Sequence, residues 1–227
     1  MIDRARARGP AASPGAGASA LWLSAWQRLI GRVGHDIRNP LNGAALNLEV
    51  VRTRAGRAGT DSLALAPYAE AAASELSAAV ELVEALLELA RPGRAPIDLE
   101  SVLRPLVRLH AVLVRDGRGE GGGETDGARP LGRITLEGES VAPSRVKVDA
   151  DAARLLLSET LDAATTGEGP HNVTCVIGRG EGHVVVDVRR TPPKALDLSA
   201  SVDEVARASG IRFGSTSEGI RLLFPLA

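Results

Sequence analysis

The sequence predicts an α+β chain: a helical hairpin that dimerises into a four-helix bundle, followed by an α/β sandwich. Three observations carry this. Apolar residues recur at steps of three and four through the first ninety residues. Beyond residue 97, short β-rich runs alternate with helical segments. An Arg-Pro-Gly sequence and a short Arg94-Ala95-Pro96 linker separate the two textures.

Ala18 to about Thr53 read as one helix, with Ile30, Val33, Ile37, Leu41, Ala44, Leu48 and Val51 as its apolar stripe. Pro40 falls inside the stripe and is expected to kink it. Residues 54–61 form a turn, with Asp61 or Ser62 as a possible N-cap. A second helix runs to about Ala90. Its stripe is Leu76, Val80, Val83, Leu87 and Ala90, widened by Leu82, Leu86 and Leu89, and Arg91-Pro92-Gly93 ends it. Two helices cannot bury both a seam and a widened face. A homodimer would cover the surplus, and so would packing on the C-terminal half.

The second half reads as a helix over 97–115, a glycine-rich loop over 116–130, strands at 131–137 and 145–148, and a helix at 149–166. Strands at 171–177 and 183–189, a helix at about 200–209 and a hairpin at 211–226 complete it. Helices on one face of a mainly antiparallel sheet are expected. The domain boundaries follow: a disordered leader over 1–17, the hairpin over 18–93 and the sandwich over 97–227.

Composition narrows the function. Of 227 residues 44% are hydrophobic but only 2% aromatic, so Leu, Val and Ala must fill the core. A net charge of -1 gives no electrostatic case for nucleic acid or an anionic membrane. The single cysteine, Cys175, rules out an intramolecular disulfide and a cysteine-based zinc cluster, and fits the reducing cytoplasm. No run has the ~18 apolar residues of a membrane span, and the leader lacks a signal-peptide layout. His110, His171 and His183 have no metal-ligand spacing and are expected to be surface or strand residues. Trp22 and Trp26, at i and i+4, are expected to pack together near the helix start. Gly178 to Gly182 is expected to be a hairpin turn.

The chemistry concentrates in Gly34-His35-Asp36-Ile37-Arg38-Asn39-Pro40-Leu41-Asn42. By helical phase His35 points outward beside the seam. Asp36 is placed to orient the imidazole or take its proton, and Asn39, one turn along, to position a water or a phosphoryl oxygen. An exposed neutral imidazole is a competent nucleophile toward phosphorus. This string resembles the H-box of the two-component sensor histidine kinases, whose dimerisation and phosphoacceptor domain is a helical hairpin. The resemblance implies that His35 is phosphorylated. It also implies that Asp36 and Asn39 fill the acid-x-x-Asn pattern used to dephosphorylate a partner.

The second half resembles the family's ATP-binding domain more weakly, and its departures matter. The residues around Val148 to Leu157, with Leu161 to Ala164 and Gly167, are similar to the N-box helix. The metal-holding asparagine is missing from 155–166, where Glu159 or Asp162 stands instead. Where the family has Asp-x-Gly-x-Gly, this chain has Arg190 at the Asp position and Pro192 at a Gly position, and a proline supplies the opposite of glycine's freedom. The interval from Pro193 to Gly210 is too short for a glycine-rich lid, and Gly121-Gly122-Gly123 lies on the wrong side of the helix and lacks a P-loop ending.

The resemblance thus implies a histidine phosphotransferase with a degenerate ATPase-like domain. It would pass phosphoryl groups between response-regulator receiver aspartates through His35. No cofactor is expected on this chain, and Mg²⁺ would arrive with the receiver. The alternatives are an ATP-dependent kinase with an atypical nucleotide site and a non-catalytic pseudokinase scaffold.

Overall fold

A computed structural model describes residues 14–57, 61–93, 95–115, 132–138, 144–166 and 171–227. The glycine-rich stretch at 116–130 and most of the expected leader, residues 1–13, lie outside the described residues. The chain is α+β. Helix α1 spans Pro14–Ala55, so it takes in the end of the expected leader and runs through Pro40 without a break. Asp61 caps a single 3-10 turn at Ser62–Ala64, accepting from Leu63 N at 2.9 Å. Helix α2 (Ala66–Ala90) then starts with proline in its first turn, where the missing N–H costs nothing. Arg54 near the end of α1 stacks 4.7 Å over the Tyr68 ring, which fixes the hairpin's closed end.

Strand β1 (Ile97–Asp98) leads into α3 (Leu99–Arg115). Strands β2 (Gly132–Glu137) and β3 (Arg145–Val146) precede α4 (Ala150–Thr165), whose N-cap Asp149 accepts from Asp151 N and Ala152 N. Strands β4 (His171–Gly180) and β5 (His183–Thr191) form a hairpin through Gly182, at φ +70°. Helix α5 (Ala200–Ala208) and the hairpin β6 (Arg212–Ser215) and β7 (Gly219–Pro225) finish the chain. The five-stranded sheet has the order β2-β4-β5-β7-β6. Among the described residues only the β2–β4 pair is parallel, and β1 pairs antiparallel with β3 apart from the sheet.

Alternation fills the sheet's inner face: Val173 and Cys175 on β4, Val186 and Val188 on β5, Leu222 and Phe224 on β7 are all buried. They pack on Leu155, Leu156, Leu157 and Leu161 of α4 and Leu103, Leu106 and Leu109 of α3. Burial pushes the Cys175 thiol up to about 12, so it stays a protonated core residue.

The hairpin corrects the expected stripes. On α2, Ala72, Ala79, Leu82, Ala85 and Leu89 are buried, while Leu76, Val80, Val83 and Leu87 are exposed. On α1, Ala18, Trp22, Ala25, Leu29 and Val33 are buried, while Ile30, Leu41 and Leu48 are exposed. The inward face of α2 is therefore rotated from the predicted one, because the C-terminal half competes for it, while Val33, Ile37 and Ala44 of the predicted α1 stripe do turn inward. Leu82 and Leu89, counted as mere widening, belong to the same core as α3 and α4. The predicted positions Ile30, Leu41, Leu48, Leu76, Val80, Val83 and Leu87 are left uncovered in the single chain. Trp22 and Trp26 do pack together, at a centroid distance of 5.6 Å. No helix of the described residues is long and apolar enough to cross a membrane.

Candidate functional site: an exposed histidine beside a three-helix cavity

His35 lies midway along α1 with its side chain 50% exposed. Gly34 before it has no neighbour near its missing Cβ, so the approach to the imidazole is open. Asp36 is buried, only 3% exposed, with its Oδ1 3.9 Å from His35 Nδ1. That is an ion-pair distance for a protonated imidazole and too long for a hydrogen bond. Asn39 is exposed one turn further on.

The two predicted helpers face a common space. Asp36 and Asn39 line a cavity of about 530 Å³ between α1, α2 and α3, together with Pro40, Glu75, Glu81 and Arg108. His35 stands outside that lining, on the adjoining outward face of α1. The structure thus brings Asp36 and Asn39 to one cavity, with His35 beside them. Sequence reasoning missed Glu75, Glu81 and Arg108, because nothing local marks which residues of α2 and α3 will meet α1.

The residues that the sequence resemblance sets at nucleotide-ligand positions have partners within the protein. Glu159 and Asp162, the residues at the N-box position, are paired with α1: Arg28 Nη2 lies 2.5 Å from Glu159 Oε1, and Arg32 Nη2 lies 2.6 Å from Asp162 Oδ1. Burial raises the Glu159 pKa and nearby Asp162 adds to this, while Arg28 and Arg32 hold it down. Arg190, at the position of the adenine-reading Asp, is buried, and its Nη1 donates to Ala164 O at 3.1 Å and Thr166 O at 2.6 Å. It is a cation set on the carbonyl end of α4, where a helix favours positive charge. His171 Nε2 lies 3.0 Å from Thr165 O and completes this cap. Both carboxylates have arginine partners and Arg190 is a buried guanidinium, so all three side chains are engaged inside the protein. No group of three metal-ligating side chains occurs among the described residues.

His110 corrects the expectation of a surface or strand residue. It lies on α3, fully buried, with Nδ1 3.5 Å from Thr165 Oγ1 and 3.9 Å from Asp162 Oδ1. Burial lowers its pKa to about 4, Arg32 adds to the shift and Asp162 opposes it. It is therefore neutral at physiological pH.

Comparison with known proteins gives one family match: residues 25–95 match the His Kinase A (phospho-acceptor) domain. No curated protein matches the chain. Similar solved structures include a bacterial phosphotransferase, at 17% identity and TM-score 0.41, covering 88% of this chain and 95% of that one. Full-length ShkA in complex with AMPPNP has 17% identity and TM-score 0.39, covering 88% of this chain and 46% of that one. The Erythrobacter litoralis EL346 blue-light activated histidine kinase has 15% identity and TM-score 0.40, covering 66% of this chain and 54% of that one. The chain spans about half the length of the last two. At such scores none of these likenesses bears on the chemistry.

Proposed function

We propose, from the match of residues 25–95 to the His Kinase A (phospho-acceptor) domain, that this chain is a histidine phosphotransferase of the two-component histidine kinase family. The observation that carries this is the contrast between its two ends. His35 is open to solvent, while the carboxylates and the arginine that stand in for nucleotide ligands are used up inside the protein. In the proposed reaction an imidazole nitrogen of His35 attacks the phosphorus of a receiver's aspartyl phosphate. The P–O bond to the carboxylate breaks, and the phosphoramidate forms with loss of the imidazole proton. Attack by a second receiver's aspartate reverses the sequence. Asp36 and Asn39 face the cavity from which water would reach the phosphoryl group. The receiver brings the Mg²⁺. A homodimer through α1 and α2 would cover Ile30, Leu41, Leu76, Val80 and Leu87, which the single chain leaves exposed. The cytoplasm, where receivers work, is its proposed location.

The test pairs two measurements. Incubation with a phosphorylated receiver should label this chain, and calorimetric titration with Mg-ATP should give no saturable heat. Saturable heat with autophosphorylation would make it a kinase. Receiver binding without label would make it a scaffold.

A further inference from the structure

Three polar contacts join α1 to α4. Ser19 Oγ donates to Asp151 Oδ2 at 2.7 Å, and Arg28 and Arg32 reach Glu159 and Asp162 at 2.5 and 2.6 Å. The sequence separation is 132 for the first and 131 for the second. A near-constant offset means that the helices run side by side in the same direction, over roughly 20 Å at the rise of an α-helix. Beneath these contacts Ala18, Trp22, Ala25, Leu29 and Val33 are buried in the core shared with α4. Glu159 and Asp162, one turn apart, would repel each other without a counter-charge, and α1 offers each a guanidinium at matching spacing.

The joint between the two units is tight as well. Arg154 is buried, and its Nη2 donates to Arg91 O at the end of α2 at 2.5 Å while its Nη1 holds Asp151 at 2.9 Å. A Cβ at Gly93 would come within 2.4 Å of the Ala150 Cβ, so the connecting backbone lies directly on α4.

We propose that Arg28 and Arg32 form an electrostatic clamp that holds the C-terminal unit immobile on α1. Through it they act as positioning residues for the phosphotransfer site. Arg32 lies three residues before His35, so the clamp keeps α4 at a fixed place beside the reactive turn. A receiver then meets a preformed surface and does not have to order a swinging domain on docking. The positioning role rests on the proposed phosphotransfer; the immobility does not.

Hydrogen exchange separates the two. R28E/R32E should speed amide exchange in α1 residues 18–33 and α4 residues 150–165 by about tenfold. The fourfold charge swap R28E/R32E/E159R/D162R should restore protection. Receiver affinity should fall and recover in parallel, while the rate of label transfer within the docked complex stays constant. Unchanged exchange in the double reversal, or no recovery in the swap, refutes the clamp. Restored protection with receiver affinity unmoved throughout refutes the positioning role alone. Should the double reversal lose its fold by circular dichroism, R28Q/R32Q is read by the same criteria, with wild-type exchange as the refuting result.

Discussion

At the scale of single residues, the proposed phosphotransfer assigns different parts to His35 and to Asp36 and Asn39. His35→Gln keeps size and polarity but removes the phosphorus nucleophile, so label from a phospho-receiver should vanish while receiver binding persists. Asn39→Ala should leave labelling of His35 intact and slow loss of label from the receiver; a time course on both proteins checks each arm. Both side chains are exposed, so neither change should shift stability by more than about 0.5 kcal/mol. His110 behaves oppositely. Its pKa is lowered from 6.5 to about 4 by burial, so the unfolded chain binds its proton first as pH falls. Stability from this group is complete above about pH 6.5, drains between there and about pH 4, and amounts to on the order of 3 kcal/mol. Denaturant titrations across that window should show the loss in the native chain and a flatter profile in His110→Leu. The burial was legible: His110 continues the stripe of Leu103, Leu106 and Val107 at helical spacing. A histidine is easily set apart from such a stripe by its polarity. The H-box was legible because its signal is local, with His35, Asp36 and Asn39 within five residues. Arg28 and Arg32 were not, since their partners lie in α4 and only the tertiary fold brings them together.

At the scale of elements, the helical period was read correctly and the buried face of α2 was not. The period of α2 predicts an amphipathic helix, but sequence does not say which of two apolar flanks meets the chain's own second half. The flank of Leu82 and Leu89 does, and leaves Leu76, Val80, Val83 and Leu87 to solvent at steps of four, three and four. That spacing fits the knobs-into-holes seam that the proposed homodimer would use. Val80→Glu would place charge against charge across a two-fold contact. Light scattering should then show the chain mass in place of twice that mass, with the unfolding free energy of the monomer nearly unchanged because Val80 is already exposed. A dimer persisting in Val80→Glu would exclude this seam. The strands were placed within a few residues because β-branched alternation is a short-range signal, whereas the parallel β2–β4 pairing is not, being set by the crossover through α4.

At the scale of the whole molecule, the C-terminal unit is a sheet covered by helices. Its sheet and helices enclose a continuous core that reaches into α1, and Glu159, Asp162 and Arg190 act as internal fasteners. Arg190 has a consequence for substitution. An aspartate there would remove the cation from Ala164 O and Thr166 O and set a carboxylate against the negative end of α4. Arg190→Asp should therefore give a less stable protein, read as a lower denaturant midpoint. The guanidinium works as a latch: it ties the carbonyl end of α4 to the sheet, and the folding energy of the chain around it holds it there.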